Sequence, residues 1–207
     1  MSTPEPAPSS VEAEVRVHVE AGRWHEATAA ALRGYGPELI EYLVATGRSE
    51  VDGSDAFAEL SVDLWRGLPS FRWEASLRTW CYTLARHALA RVKRAPERRR
   101  AVALESGQLA DLAEQIRSRT VTHLRTDVKH RVRALRERLS PEDQSVLVLR
   151  VDRDLPWRDI ARIMADEGEA LAEADLVRRA AALRKRFERI KGDLRELARA
   201  EGLGGRD

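Results

Sequence analysis

Asp55, Glu59 and Asp63 stand at i, i+4 and i+8, a spacing that puts three carboxylates on one face of a helix. Such a set could hold a divalent metal or serve a nuclease, but no His or Cys shares the spacing. His18, His25, His87, His123 and His130 are scattered, with no HExxH pairing, and no P-loop, G-x-S-x-G or G-x-G-x-x-G occurs. The single cysteine, Cys81, excludes an internal disulfide and a thiolate-rich metal site. No catalytic residue, metal or cofactor is therefore expected. The acidic face reads either as solvated surface or as a surface for a protein partner.

The cations are better organised. Between residues 176 and 191 there are 7 Lys or Arg against 1 acid. Arg178, Ala182, Lys185 and Arg189 lie opposite an apolar stripe, with Arg179 and Arg186 on one flank and Arg184 on the other. Small residues among arginines let a helix approach base edges, where Arg donates two bonds to guanine. The bland reading is a solvated helix or a coiled-coil seam, which the same spacing serves. A second basic set follows the acidic face. Leu68-Pro-Ser-Phe-Arg-Trp73 places two aromatic rings beside an arginine, a combination suited to stacking on unstacked, single-stranded bases. The helix after it carries Thr79, Tyr82, Thr83, Arg86, Lys93 and Arg94 on one side, with His87 at the edge. Its other side is the apolar stripe Leu77, Trp80, Cys81, Leu84, Ala85, Ala88, Leu89 and Val92.

The net charge of +2 conceals this segregation: residues 1–66 carry 5 Lys or Arg and 12 Asp or Glu, whereas residues 67–100 carry 9 and 2. An acidic segment followed by a compact basic one predicts two different partners, one of them a polyanion. With 43% hydrophobic residues in 207, the chain can bury real cores, and its few β-branched runs predict an all-α fold. Residues 1–10 read as a disordered tail rather than a signal peptide. No apolar run approaches about 20 residues, so membrane insertion is not expected and a cytoplasmic location is.

Helices are expected from Val11 to Thr46, broken near Gly34-Tyr-Gly-Pro37, then over 55–67 and 74–94. Val15, Val17 and Val19 alternate locally like a strand, but the surrounding Ala and Glu favour helix. Residues 97–130, opening on Arg98-Arg-Arg100, read as a flexible linker with one helical piece. A second small domain spans 131–201. There Ser140-Pro-Glu-Asp143 is a strong helix start, with a Ser cap, Pro at the first position and two acids in the first turn. A short helix from Trp157 and a long one to about Ala200 complete a helix-turn-helix pattern. The boundaries are thus 1–10, 11–96, 97–130 and 131–201.

Two stretches resemble the extracytoplasmic-function sigma factors of RNA polymerase. Residues 63–94 resemble their second conserved region, through Trp65, Leu68-Pro69, Phe71-Arg72, Ser76, Thr79-Trp80 and Ala85-Arg86. Residues 139–164 resemble the helix-turn-helix of their fourth region, and 183–197 the end of its recognition helix. The second run alone would also fit a stand-alone helix-turn-helix regulator. The resemblance implies that the acidic helix docks on core RNA polymerase through Asp55, Glu59, Asp63, Leu64 and Trp65. It implies that the loop Phe71, Arg72, Trp73 and Ser76 captures a flipped base of the minus-ten element. The basic helix would hold the melted strand through Thr79, Trp80, Tyr82, Arg86, His87, Lys93 and Arg94. The last helix would read the duplex minus-thirty-five element through Arg178, Arg179, Ala182, Arg184, Lys185, Arg186 and Arg189. An anti-sigma protein is a further implied partner. The chain departs from the family pattern at Trp73, where a Gly is usual, at Pro156, often a Ser cap, and in the long stretch 165–175.

Overall fold

The computed structural model describes residues 10–95, 107–126, 130–169 and 171–201, and every regular element among them is helical. In chain order these are α1 (Ser10–Glu20), α2 (Trp24–Gly47), α3 (Glu50–Gly67), a 3-10 turn (Leu68–Ser70), α4 (Leu77–Arg94), α5 (Gly107–Thr126), α6 (His130–Glu137), α7 (Pro141–Leu147), a π turn (Val148–Asp152), α8 (Trp157–Ile163) and α9 (Glu173–Ala200). The expected tail, residues 1–9 of it, and Arg98-Arg-Arg100 lie outside the described residues.

Local chemistry fixes most of the ends. Ser49, Ser76 and Ser140 each accept a hydrogen bond from the backbone N–H three residues on, capping α3, α4 and α7. Pro141 takes the first position of α7, as its spacing predicted. The break in the first helical segment does not fall at Gly34-Tyr-Gly-Pro37. α2 runs unbroken through Pro37, and the chain turns instead at Gly22, whose φ of +68° suits a residue without a Cβ. Gly34 has another purpose. A Cβ there would sit 2.4 Å from Val11 Cγ1, so its absence lets α1 lie directly on α2. Gly53 does the same between α2 and α3, where a Cβ would come within 2.9 Å of the Val44 backbone nitrogen.

α2 is the axis on which α1, α3, α4 and α5 pack. Leu32, Leu39, Ile40 and Leu43 of α2 meet Phe57, Leu60 and Leu64 of α3 and Leu77, Cys81, Ala85 and Ala88 of α4 in one core. Each fully buried Leu of this kind contributes about 1.5–3 kcal/mol. Val15 joins it from α1 while Val17 faces solvent, as a helix requires and a strand would not.

The segment expected to be a flexible linker is in large part a packed helix. α5 lies along α2 and α3, burying Leu109, Ala113 and Val121 and setting Ile116 against Gly36. Nor do the residues after 131 stand wholly apart. Val148, Leu149, Leu155, Ile160 and Ile163 join the core of the first helices, while Leu139, Val146, Leu147, Phe187 and Ile190 form a smaller core of their own. Polar contacts secure the junction. Tyr42 Oη and Ser145 Oγ are 2.6 Å apart and buried, Arg153 donates to Glu41 at 2.6 Å, and the Arg48 guanidinium donates to Gln144 and to the Leu139 carbonyl.

One buried acid organises the start of α4 from a distance of 65 residues. Glu12 of α1 accepts the Leu77 backbone N–H at 3.0 Å and pairs with Arg16 at 3.2 Å. It thus supplies negative charge where the positive end of α4 emerges. Glu12→Ala is expected to cost about 1.5–3 kcal/mol, the usual range for a hydrogen bond to a charged group, read as a lower midpoint in urea denaturation.

Candidate nucleic-acid and protein interface

α3 and α4 lie side by side, and their charges meet at Arg91. Its guanidinium donates to Glu59 at 3.2 Å, to Asp63, and to Glu167 of the turn before α9 at 2.7 Å. Glu59 and Asp63 are half-buried beneath it. Asp55 lies further along the same helix, near Arg117 of α5, whose guanidinium also reaches Ser54 Oγ at 3.4 Å. The three carboxylates share a face as their spacing required. Among the described residues no group of His, Cys, Asp and Glu is arranged to hold a metal ion.

Leu64, expected on this protein-binding face, points the other way. It is fully buried, because the residue after Asp63 rotates about 100° around the helix into the α2–α4 core. Trp65 is half-buried, with its ring edge-on to His25 at 6.2 Å.

The loop between the 3-10 turn and α4 is built from stacked rings. Phe71 lies nearly parallel to Trp80, 4.5 Å between centroids and 17° between planes, and the Trp73 ring is tilted against Phe71 at 4.8 Å. Arg16 sits 4.0 Å over Trp73. Trp80 is therefore neither simple core nor open surface: it is the platform under Phe71. Ser76 is occupied as the cap of α4, its Oγ also 2.9 Å from Thr79 Oγ1. Arg72 is exposed. Phe71, Arg72, Thr79 and Trp80 wall a cleft of about 720 Å³ with Asp63, Gly67 and Thr83, and Arg162, Ala165, Glu169 and Leu176 also line it.

Trp73 has φ +59°, the left-handed region that glycine tolerates and other residues enter at a cost of about 1–2 kcal/mol. Its stacking holds it there. Trp73→Ala keeps the strain and loses the stack, whereas Trp73→Gly loses both. The Gly variant is expected to be more stable than the Ala variant by about 1 kcal/mol, the reverse of their order inside a helix. Paired denaturation midpoints check this.

Along α4, Lys93 and Arg94 are exposed, and Arg86 and His87 are half-buried. Thr79 and Tyr82, expected on the basic face, are buried. Tyr82 packs edge-on against Tyr42 at 5.3 Å, and burial pushes its phenol well above the usual tyrosine range. Thr79 lies beneath α8, hydrogen-bonded with Asp159, whose carboxyl burial raises above the ordinary aspartate value. α8 covers this side of α4, so the buried arc is wider than one stripe. Arg78, unremarked in the sequence, is bound by both oxygens of Glu38, at 2.8 and 2.7 Å.

On α9, Arg178, Ala182, Arg184, Lys185 and Arg189 are exposed along one side, opposite Leu176, Phe187 and Ile190. Two of the expected base-reading arginines are engaged internally. Arg179 pairs with Glu169, and Arg186 bridges Asp143 at 2.6 Å and Glu142 at 3.0 Å, tying α9 to the start of α7. The helix begins at Glu173, after Gly168 at φ +81°, so Arg178 stands in its second turn.

Residues 31–100, which span most of α2 and all of α3 and α4, match the family described as sigma-70 region 2. The chain is 29% identical over 137 residues to RNA polymerase sigma factor YlaC of Bacillus subtilis (strain 168), a stretch covering 64% of this chain and 76% of that protein. No solved structure gives a significant match.

Proposed function

We propose that the chain is an RNA polymerase sigma factor of extracytoplasmic-function type, and that its parts divide the work of promoter selection. Residues 11–96 form the unit that binds core polymerase and the melted minus-ten element. Residues 97–130 connect it, and residues 131–201 bind the duplex minus-thirty-five element. The carrying observation is the juxtaposition of the acidic face of α3 with the ring-lined cleft and cationic end of α4, within the segment that matches region 2.

Asp55, Glu59 and Trp65 present carboxylates and an apolar edge to a basic protein surface on polymerase. Phe71 and Trp73 supply faces on which an extruded base can stack, worth about 1–3 kcal/mol per base. That repays the few kcal/mol of unstacking that extrusion costs. Arg86, Lys93 and Arg94 hold phosphates of the melted strand, and Arg178, Ala182, Lys185 and Arg189 face the major groove. Every step is binding, and no side chain is assigned a covalent role. An anti-sigma protein completes the proposed partners, and the work takes place in the cytoplasm. No helix among the described residues is long and apolar enough to cross a membrane.

Co-purification with bacterial core RNA polymerase, followed by run-off transcription on fragmented genomic template, tests the proposal. Stable association with new, discrete start sites is expected. Failure to bind core, with duplex DNA still shifted by the free chain, would replace it with a stand-alone helix-turn-helix regulator.

A further inference from the structure

Arg86, His87 and Arg91 of α4 are not open to a DNA strand in this structure, because oxygen atoms of the chain's own later half already occupy them. The Ala165 carbonyl accepts from Arg86 Nη1 at 2.8 Å and lies 3.1 Å from His87 Nε2. Two residues on, the Glu167 carboxylate takes Arg91 Nη1 at 2.7 Å. One short turn thus delivers a neutral and an anionic oxygen to three successive donors along α4. Oxygen acceptors are also what a nucleic-acid backbone would offer these donors.

The turn is built to hold that shape. Asp166 N–H donates to Glu169 Oε2 at 3.2 Å, Glu169 N–H donates to the Asp166 carbonyl at 3.0 Å, and Gly168 supplies the left-handed bend. Arg179 of α9 anchors it through the Glu169 carboxylate. Residues 165–169 include Asp166, Glu167 and Glu169 and no Lys or Arg. Ala165 and Glu169 of the same turn line the cleft that Phe71 and Trp80 also line.

We propose that the Ala165–Glu169 turn is an internal stand-in for the melted strand, so that the turn and single-stranded DNA compete for Arg86, His87 and Arg91. This rests on the reading of α4 as the strand-holding helix. Lys93 and Arg94, exposed at the end of α4, remain accessible for a first phosphate contact while the turn is seated. Closure therefore keeps the free chain from holding single strands while its later half is packed against α4, and a strand gains the site only as the turn leaves.

The test uses the full chain and a fluorescent 20-nucleotide single-stranded DNA of mixed sequence. Glu167→Lys removes the carboxylate and sets a cation beside Arg91. Glu26→Lys makes the same charge change at an exposed site on α2. By anisotropy, E167K is expected to bind about three- to tenfold tighter than E26K, the scale of losing one partly exposed ion pair together with the seating it secures. Hydrogen–deuterium exchange supplies a readout that added charge alone would not move. Saturating wild type with the oligonucleotide is expected to speed exchange of the peptide covering residues 164–176. Equal affinities for E167K and E26K, or unchanged or slower exchange in that peptide, would overturn the competition. The reading of α4 itself is judged separately, by whether Lys93→Ala with Arg94→Ala weakens promoter opening in the assembled polymerase.

Discussion

Leu64→Ala should lose about 2–5 kcal/mol of stability, the range for truncating a fully buried Leu in a helical core, while the folded fraction keeps its affinity for polymerase. Leu64 lies between Asp63 and Trp65, and one residue decides everything about its role. Asp63 reaches Arg91 on the α4 side, Trp65 reaches His25, and Leu64 turns inward among the buried residues of α2, α3 and α4. Its removal opens a cavity where the helices cannot close, since Gly53 already holds the backbones of α2 and α3 in contact. Urea denaturation measures the stability loss, and polymerase pull-down below the unfolding midpoint measures what the contact face retains. If the midpoint stayed at its wild-type value while pull-down was abolished, Leu64 would be a contact residue and its burial would be misplaced.

The sequence carried some of this architecture openly and hid the rest for identifiable reasons. Ser140-Pro-Glu-Asp143 could be read because capping is local: the cap, the proline and the acids act within one turn. The break assigned to Gly34-Tyr-Gly-Pro37 failed because glycine has two uses. Here Gly34 and Gly36 are points of close approach to Val11 and Ile116, and burial against those neighbours carries the helix across Pro37. A helical piece was expected where α5 lies, but its packing was hidden by its mixed polarity, since a helix resting on α2 and α3 needs only Leu109, Ala113, Ile116 and Val121 inward.

The site residues divide in the same way. Phe71 and Trp73 were legible as aromatic groups beside a cation and Trp80 as part of an apolar stripe, and the structure packs both Trp rings against Phe71. Thr79 and Tyr82 were misplaced because an amphipathic stripe records one buried side, whereas α4 has two. Thr79 is covered by Asp159 of α8, some eighty residues later, and Tyr82 packs on Tyr42 of α2, and nothing in the spacing of α4 announces either. Glu12 at the Leu77 backbone N–H and Arg186 against Asp143 are likewise long-range contacts of charged residues that look like ordinary surface. For Asp143, burial alone would raise the carboxyl, but Arg186 and Ser140 together hold it below the usual carboxylate value. That ion pair ties Arg186 of α9 to the first turn of α7, whereas Lys185 beside it is exposed.

That distinction sharpens the test of how the two ends of the chain divide their work. Replacing Arg178 and Lys185 together with Ala should weaken recognition of the upstream duplex by about 10- to 1000-fold, the span expected for losing a bidentate base contact and a neighbouring cation, with polymerase binding intact. Both side chains are exposed, and Arg178 contacts only Asp175 of its own helix among the ion pairs described, so the fold has little to lose. The salt dependence should fall as well, by about one unit of slope for each phosphate contact removed. Asp55→Ala with Glu59→Ala should do the reverse, lowering affinity for core polymerase while the chain still recognises the upstream duplex once assembled. Arg91 retains Asp63 and Glu167 in that variant, which keeps α3 and α4 joined. Gel shifts with upstream duplex and polymerase pull-downs on the same two proteins give four numbers. If both variants lost both activities in parallel, the charges on α3 and α9 would be serving one interface, and the assignment of separate partners to the two ends would fail.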